Sequence, residues 1–216
     1  MAREIIGVFG KTGFGKSLWA GHYTRYKKRL LVYDPYGDGQ WDTEFLDTVA
    51  DIEGVVDTDG TFAMGVNDVG EVDALCELGV ELGDCYILLE EFSTIADKGA
   101  TISDALRKVI FQGRHDNVSL VVVAQRPMSI PIDLRSQITR VVSFRQTDNG
   151  GDLSFLQNYF SGGMIKDLSR LPILVCLDSR GDGQKYGIEV AIDNGGKKAE
   201  TLSQTDFIGL RIIRGA

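Results

Sequence analysis

The sequence predicts an α/β fold built on a mostly parallel central sheet with helices on both faces. Strand-like and helix-like segments alternate along the 216 residues, which is the order that βαβ units require. Several strand-like segments, such as Val118–Ala124, are apolar throughout. Continuous apolar strands are typical of parallel sheets that are covered on both faces. With 43% apolar and 25% charged residues, the chain has the composition of an ordinary globular domain.

The first half of the chain begins with a predicted strand over Glu4–Phe9 that ends at a glycine-rich turn. A helix is expected over Lys16–Lys28, followed by a buried strand over Arg29–Asp34. Residues 35–68 are rich in turn signals and more ambiguous. They predict two short strands, near Ile52–Val56 and Thr61–Val66.

The second half continues the alternation. The expected elements are helices over Val69–Leu82, Ile102–Arg114, Asp152–Tyr159 and Gly163–Leu168, and strands over Asp84–Glu91, Val118–Ala124, Thr139–Arg145, Ile173–Leu177 and Lys185–Ile192. We therefore expect one domain over residues 1–193. Residues 194–216 are expected to form a C-terminal arm, in which Phe207–Ile213 has the pattern of a strand that docks on this domain or on a neighbouring subunit.

Charge and cysteine content disfavour some broad classes. The formal net charge is −8, whereas proteins that coat nucleic acid through bulk charge are basic. A local basic surface, for instance in the bore of a ring, is compatible with this charge. Cys85 and Cys176 lie in or beside apolar runs, which favours buried thiols over a redox or metal role. With only two histidines in the chain, a zinc site is not expected. No apolar run is long enough to predict a transmembrane helix, and we expect a reducing cytoplasmic setting.

A phosphate-binding loop follows the first strand. The residues Gly10-Lys11-Thr12-Gly13-Phe14-Gly15-Lys16-Ser17 match the pattern G-x-x-x-x-G-K-[ST] in full. Glycines let backbone N–H groups approach phosphate oxygens, and the N-terminus of the following helix favours the same anion. Lys16 is then expected to neutralise the β- and γ-phosphates of ATP, and Ser17 to bind Mg²⁺. The alternative is a chance glycine-rich turn.

An acidic pair, Glu90-Glu91, ends the apolar strand that begins near Asp84. This is the form of a Walker B strand, which delivers a carboxylate to the sheet edge where ligands of open α/β sheets bind. Glu90 is expected to hold Mg²⁺, and Glu91 to orient and deprotonate the attacking water. The alternative is that both acids are merely solvated at a strand end.

Two further polar residues flank the next strand. Gln125 emerges at its end, where a neutral amide can hydrogen-bond the γ-phosphate or the attacking water; the alternative is an amide that caps a turn. Arg114 ends the helix predicted before that strand. One interpretation of a guanidinium there is that it faces the C-terminal end of the helix dipole.

Together these motifs resemble the FtsK/HerA superfamily of DNA-pumping P-loop ATPases. The resemblance runs from Ile5 to about Asp148 and is carried by the phosphate loop, the acidic pair, Gly113-Arg114, Ala124-Gln125-Arg126-Pro127, Asp133-Leu134-Arg135 and Phe144-Arg145. Within that superfamily, a bare ATPase domain of this size is similar to the genome-packaging ATPases of internal-membrane viruses with double jelly-roll capsids.

The resemblance implies a RecA-like P-loop NTPase fold that binds ATP and Mg²⁺. It also implies a homo-oligomeric ring, a hexamer, that translocates double-stranded DNA in the host cytoplasm, with capsid-vertex or membrane-associated viral proteins as further partners. An arginine of one subunit would reach the γ-phosphate bound to its neighbour. Arg114 occupies the matching position, and the weaker candidates are Arg126, Arg135 and Arg140. Candidate DNA contacts are Lys98, Arg107 and Lys108, with Lys166 and Arg170 as weaker ones.

One departure and two other functions stay open. The family usually has Asp-Glu where this chain has Glu90-Glu91, and the longer first side chain could hold Mg²⁺ differently. The chain could instead be another DNA translocase of the superfamily, acting in conjugation or repair. It could also be a nucleotide-dependent assembly switch that moves no DNA.

Overall fold

A computed structural model describes residues 3–37, 41–96, 101–147, 151–160, 162–171, 173–179, 185–192 and 207–214. Its strands are β1 (Ile5–Phe9), β2 (Arg29–Tyr33), β3 (Glu44–Phe45), β4 (Phe62–Val66), β5 (Tyr86–Leu89), β6 (Ser119–Ala124), β7 (Arg140–Ser143), β8 (Val175–Asp178), β9 (Lys185–Ile192) and β10 (Phe207–Arg214). Its α-helices are α1 (Lys16–Thr24), α2 (Val49–Val55), α3 (Val72–Leu82), α4 (Asp104–Gln112), α5 (Ile132–Arg135), α6 (Asp152–Leu156) and α7 (Gly162–Leu168).

The strands form one sheet in the order β10-β9-β8-β7-β1-β6-β5-β2-β4-β3. All pairings from β7 to β3 are parallel, whereas β8, β9 and β10 add antiparallel pairings at the other side. One strand, β6, lies between β1 and β5. The carboxyl ends of β1, β6 and β5 therefore meet at one sheet edge, which is where the phosphate loop, Gln125 and the acidic pair emerge.

Alternate side chains of the central strands are buried on opposite faces of the sheet. On one face, side chains such as Phe9, Leu89 and Val122 pack with the apolar sides of α2 to α7. On the other face, side chains such as Val8 and Val123 pack with Trp19 of α1. The predicted α/β fold with helices on both faces is confirmed.

Most predicted elements are present, with shorter bounds. The helix predicted to reach Lys28 ends at Thr24, since the chain must turn before β2 begins at Arg29. The predicted burial of Cys85 and Cys176 is confirmed, and Cys76 is buried as well.

The strand predicted near Ile52–Val56 is wrong, because this segment lies mostly in α2. A capping box starts that helix: the Thr48 side chain accepts a hydrogen bond from Asp51 N, and the Asp51 carboxylate accepts one from Thr48 N. Val49 and Ile52, three residues apart, are the buried positions. These cap interactions and this spacing outweigh the β-branched composition that favoured a strand.

The predicted C-terminal arm is described only from Phe207 to Arg214, and its other residues lie outside the described part. This strand, β10, pairs antiparallel with β9 of the same chain. None of the helices in the described residues is both long and apolar enough to span a membrane.

Candidate functional site

The phosphate loop adopts backbone angles that require glycine. Gly13 and Gly15 have φ values of 80° and 104°, in the left-handed region that residues with a Cβ avoid. Gly15 immediately precedes α1, and a Cβ there would lie 2.7 Å from Leu174 Cδ2. The loop is thus shaped and packed in a way that only its glycines permit.

Neighbouring segments hold the loop in place. Gly10 N donates to Gln125 O at 3.2 Å and Lys11 N donates to Arg145 O at 3.2 Å. On the outer side, Leu174 N donates to Phe14 O at 3.2 Å. The Arg145 guanidinium also lies 5.0 Å from the centre of the Phe14 ring. Hydrogen bonds to the ends of β6 and β7 and to the segment before β8 therefore fix the position of the loop.

Lys16, Ser17 and Glu90 meet below the loop. The Ser17 hydroxyl donates to Glu90 Oε1 at 2.8 Å, and Lys16 Nζ donates to Lys11 O at 3.4 Å. Glu90 is only 7% exposed, and its Oε2 is buried without a hydrogen-bond partner among the described residues. An unpartnered buried carboxylate oxygen is costly unless it receives a cation or a donor.

The electrostatics of the site agree with that geometry. Burial raises the pKa of Glu90 to about 7, with Asp34 and Glu91 adding to the rise, while Ser17 and Lys16 oppose it. Burial lowers the pKa of Lys16, opposed by Glu90 and Glu91. Both groups are therefore held in a poorly solvated site, where each stabilises the charged form of the other.

The donor set fits Mg²⁺ as the phosphate-loop motif implies. A hydroxyl and a carboxylate with a free oxygen are hard oxygen ligands of the kind that Mg²⁺ takes. No group of three or more His, Cys, Asp or Glu side chains in the described residues could hold a metal ion. Mg²⁺ usually keeps several waters and binds through one or two carboxylates and substrate phosphates, so Ser17 and Glu90 would be sufficient protein ligands.

Glu91, Tyr36 and Leu174 complete the cleft around the loop. Its walls are Thr12, Gly13, Gly15, Lys16, Ser17, Leu18, Tyr36, Glu90, Glu91 and Leu174. The carboxylates and Tyr36 belong to the ends of β5 and β2, whereas Leu174 precedes β8. Carboxylates thus lie in a cleft whose floor can bind a phosphate chain.

Gln125 lies at the same sheet edge, between the loop and the acidic pair. Its side chain is exposed, and its carbonyl accepts hydrogen bonds from Gly10 N and from Gln146 Nε2, the latter at 3.0 Å. The backbone of Gln125 is therefore tied to the start of the phosphate loop, although its side chain is not among the groups that line the cleft.

Arg114 lies elsewhere. It follows α4 and precedes β6, so it sits at the amino-end edge of the parallel strands, opposite the phosphate loop. It is exposed, and its one hydrogen bond in the described structure is to His115. The carbonyls of Val109 and Ile110 at the end of α4 accept from Arg3. Arg3, not Arg114, therefore occupies the helix C-terminal position considered for Arg114.

The other candidate arginines are engaged within the chain. Arg126 pairs with Asp152 at 2.8 Å, Arg135 donates to Ile130 O at 3.2 Å, and Arg140 is 8% exposed and pairs with Asp178. Of the candidate DNA contacts, Arg107 pairs with Asp133, Lys108, Lys166 and Arg170 are exposed, and Lys98 lies outside the described residues.

Known proteins are similar to this chain in sequence or in fold. No family model matches the sequence. The uncharacterized protein V3 of Sputnik virophage is 22% identical over 166 residues, covering 74% of this chain but only 63% of that protein. The genome packaging NTPase B204 from Sulfolobus turreted icosahedral virus 2, in complex with AMPPCP, has a TM-score of 0.65 at 16% identity, over 82% of this chain and 92% of that chain. The pCW3 conjugation coupling protein TcpA, with ATPgS, has a TM-score of 0.54 at 14% identity, over 83% of this chain and 58% of that chain.

The chain has the P-loop NTPase fold. The resemblance inferred from the sequence, to viral packaging NTPases and to ATPases of the FtsK/HerA type, is confirmed at the level of the fold.

Three cleft residues of this P-loop NTPase were not anticipated from its sequence: Leu18, Tyr36 and Leu174. Leu18 directly follows the phosphate-loop motif. Tyr36 is 66% exposed although aromatic, and it directly follows Asp34-Pro35, so an aromatic residue in a turn at a strand end was a usable signal. Leu174 carried none. It reaches the loop from far along the chain, and its φ of 63° is not predictable for a leucine.

Proposed function

We propose that this chain is a Mg²⁺-dependent ATPase that works in a ring and translocates double-stranded DNA, packaging a viral genome into a preformed capsid. The observation that carries the ATPase proposal is the Ser17–Glu90 hydrogen bond beside Lys16, together with the unpartnered Oε2 of Glu90. These groups would form part of a cation site at the floor of the phosphate loop.

The chain's own residues would divide the chemistry. Backbone N–H groups of the loop and Lys16 would hold the phosphates and neutralise their charge. Ser17 and Glu90 would hold Mg²⁺, which supplies Lewis-acid stabilisation of the phosphoryl oxygens. Glu91, at the mouth of the cleft, would accept a proton from the attacking water. Gln125, at the same edge, would contact that water or the γ-phosphate.

The ring proposal is supported by Arg114. Unlike Arg107, Arg126 and Arg140, it has no acidic partner among the described residues, and it is exposed at the edge away from its own cleft. An arginine in that situation is available to a neighbouring subunit, where it would make turnover depend on assembly. We propose a hexamer, with capsid-vertex or membrane-associated viral proteins as partners in the host cytoplasm.

Packaging is preferred because B204, whose structure matches over most of its own length and most of this chain, is a genome packaging NTPase. A second reason is that the similar protein V3 comes from a virophage. The likeness to the conjugation coupling protein TcpA keeps a second translocase role in view. An assembly switch without translocation is the other candidate, and it would use the same cleft with its second carboxylate, Glu91.

The test is ATP hydrolysis by the purified chain at increasing concentration, with and without double-stranded DNA, alongside its oligomeric state. We expect little turnover from dilute monomer, a rise on assembly, and stimulation by DNA at low salt. Lys16→Ala should abolish nucleotide binding or turnover. Retained turnover in that variant would remove the phosphate-loop assignment, while turnover without any DNA response would favour the switch.

A further inference from the structure

The backbone of Glu91 adopts a conformation that needs external support. Its φ and ψ are 42° and 63°, in the left-handed region that is unfavourable for a residue with a Cβ. It precedes a single 3₁₀ turn over Phe92–Thr94. A strained residue at a functional site persists only where its surroundings hold it.

A chain of hydroxyl groups provides that support. Thr94 Oγ1 lies 3.0 Å from Glu91 O, and Tyr33 Oη lies 2.8 Å from Thr94 Oγ1. The Glu91 carbonyl can only accept, so the single Thr94 proton points to it, and Tyr33 must then donate to Thr94. Burial raises the pKa of Tyr33, which keeps this hydroxyl protonated.

The far end of this chain is rigid. Tyr33 is fully buried and ends β2, where it pairs in register with Leu89 of β5 and Val66 of β4. Its carbonyl also accepts a hydrogen bond from Glu90 N at 2.9 Å. One residue of the neighbouring strand therefore contacts the main chain at Glu90 and, through its side chain, the turn that carries Glu91.

We infer that Tyr33 and Thr94 are positioning residues, which hold Glu91 in its left-handed conformation and so direct its carboxylate into the cleft. This inference rests on the proposed function for its effect on turnover. Nothing else in the described structure bonds to the Tyr33 hydroxyl, so phenylalanine would fill the same volume without serving this role. Ser93 Oγ donates to Glu91 Oε1 at 2.6 Å, which orients the carboxylate locally, but Ser93 belongs to the same turn and cannot anchor it to the sheet.

The test compares single-hydroxyl variants. Tyr33→Phe and Thr94→Val each break the chain, and we expect each to lower kcat about five- to tenfold, the order of one neutral hydrogen bond, with KM within about twofold of wild type. Thr94→Ser keeps the hydroxyl and should recover most of the turnover. The combined Tyr33→Phe/Thr94→Val variant should be no worse than Thr94→Val, because Tyr33 acts through Thr94.

The matched control is Tyr159→Phe, which removes a tyrosine hydroxyl that donates to Ile138 O at 2.9 Å and does not line the cleft. It should leave kcat unchanged. A loss of turnover in Tyr33→Phe and Thr94→Val no larger than that of Tyr159→Phe would overturn the inference.

A second measurement does not need turnover. The backbone ¹³C resonances of Glu91 report its φ and ψ, and they should move away from left-handed values in Tyr33→Phe and Thr94→Val but not in Tyr159→Phe. Unchanged resonances would overturn the positioning role. If the wild-type chain hydrolyses no ATP in any assembly state, the proposed function fails, and these resonances alone decide the role of Tyr33 and Thr94.

Discussion

Glu90 shows how strongly one position can depend on its surroundings. The side chain is almost fully buried, accepts one hydrogen bond from Ser17, and lies near the charges of Asp34 and Glu91. Its ionised form is therefore poorly solvated until a cation arrives. The departure from the usual Asp-Glu pair does not prevent contact with Ser17, since the longer side chain reaches that hydroxyl directly.

The raised pKa of Glu90 predicts a pH-dependent stability. A carboxyl whose pKa is about 7 in the folded state and about 4.3 when unfolded binds more protons when folded between those values. The free energy of unfolding of the metal-free protein should therefore fall as pH rises through this window. Glu90→Gln should remove that component.

The measurement is urea unfolding of wild type and Glu90→Gln across pH 5 to 8, with their difference plotted against pH so that other groups cancel. A difference that does not vary with pH would contradict the raised pKa. Apparent Mg²⁺ affinity for the wild type should rise over the same window, because the ligand must be deprotonated.

At the scale of elements, the phosphate loop is a shared structure. Its first residues bond to the ends of β6 and β7 through Gln125 and Arg145, and its outer side bonds to Leu174 before β8. The antiparallel strands that follow are thereby connected to the cleft. The loop's glycines serve both the phosphate and this packing.

A glycine series separates backbone strain from packing. Gly13→Ala should destabilise the fold by about 1–2 kcal/mol, the cost of a left-handed residue. No steric clash adds to this cost, because a Cβ there meets nothing within 4 Å. Gly15→Ala should cost more, since its Cβ also meets Leu174. Gly54→Ala, in open space on α2, is the control and should stabilise by about 0.5–1 kcal/mol.

Urea unfolding of the three variants gives these free energies. Equal costs for Gly13→Ala and Gly15→Ala would mean that Leu174 does not pack against the loop. If Gly15→Ala costs more because its Cβ meets Leu174, Leu174→Ala should relieve part of that cost.

At the scale of the whole molecule, the proposed active site is divided. The cleft holds Lys16, Ser17, Glu90 and Glu91, whereas Arg114 lies at the opposite edge of the sheet. A single subunit cannot bring Arg114 to its own cleft without refolding. Only an arrangement that sets one subunit's amino-end edge against the next subunit's cleft could do so.

Mixing variants tests this arrangement. Arg114→Ala should keep nucleotide affinity within a few-fold of wild type and lose turnover, and so should Glu91→Gln. Mixed together, the two should regain activity, because some interfaces pair an intact Arg114 with an intact Glu91. Arg107→Ala, within α4 and paired with Asp133, is the control and should not lose turnover comparably.

Turnover is measured on assembled mixtures at fixed total protein. A mixture that stays inactive while each parent still assembles would show that Arg114 does not act across the interface. Arg126 and Arg135 would then be the next residues to test, since Arg140 is buried in its pair with Asp178.

The features of this protein that its sequence predicts are set by residues close together in the chain. The phosphate loop is contiguous, the acidic pair ends an apolar strand, and continuous apolar runs indicate a covered parallel sheet. Even α2 had a local signal, the Thr48–Asp51 capping box, which the β-branched residues around it obscured. Local signals suffice here because a turn, a cap or a strand end is set by residues within a few positions of one another.

The remaining features depend on contacts between distant segments. Tyr33 reaches the turn that carries the left-handed Glu91 only because β2 and β5 pair in register. Leu174 likewise packs against Gly15, although the two residues are far apart in the sequence. The same holds for Arg114, whose residue type and spacing mark it as a candidate but whose position opposite the cleft follows from the strand order. Sequence patterns therefore identify the chemical groups, and packing of the sheet determines which of them one subunit brings into its cleft, because that depends on long-range geometry rather than on neighbouring residues.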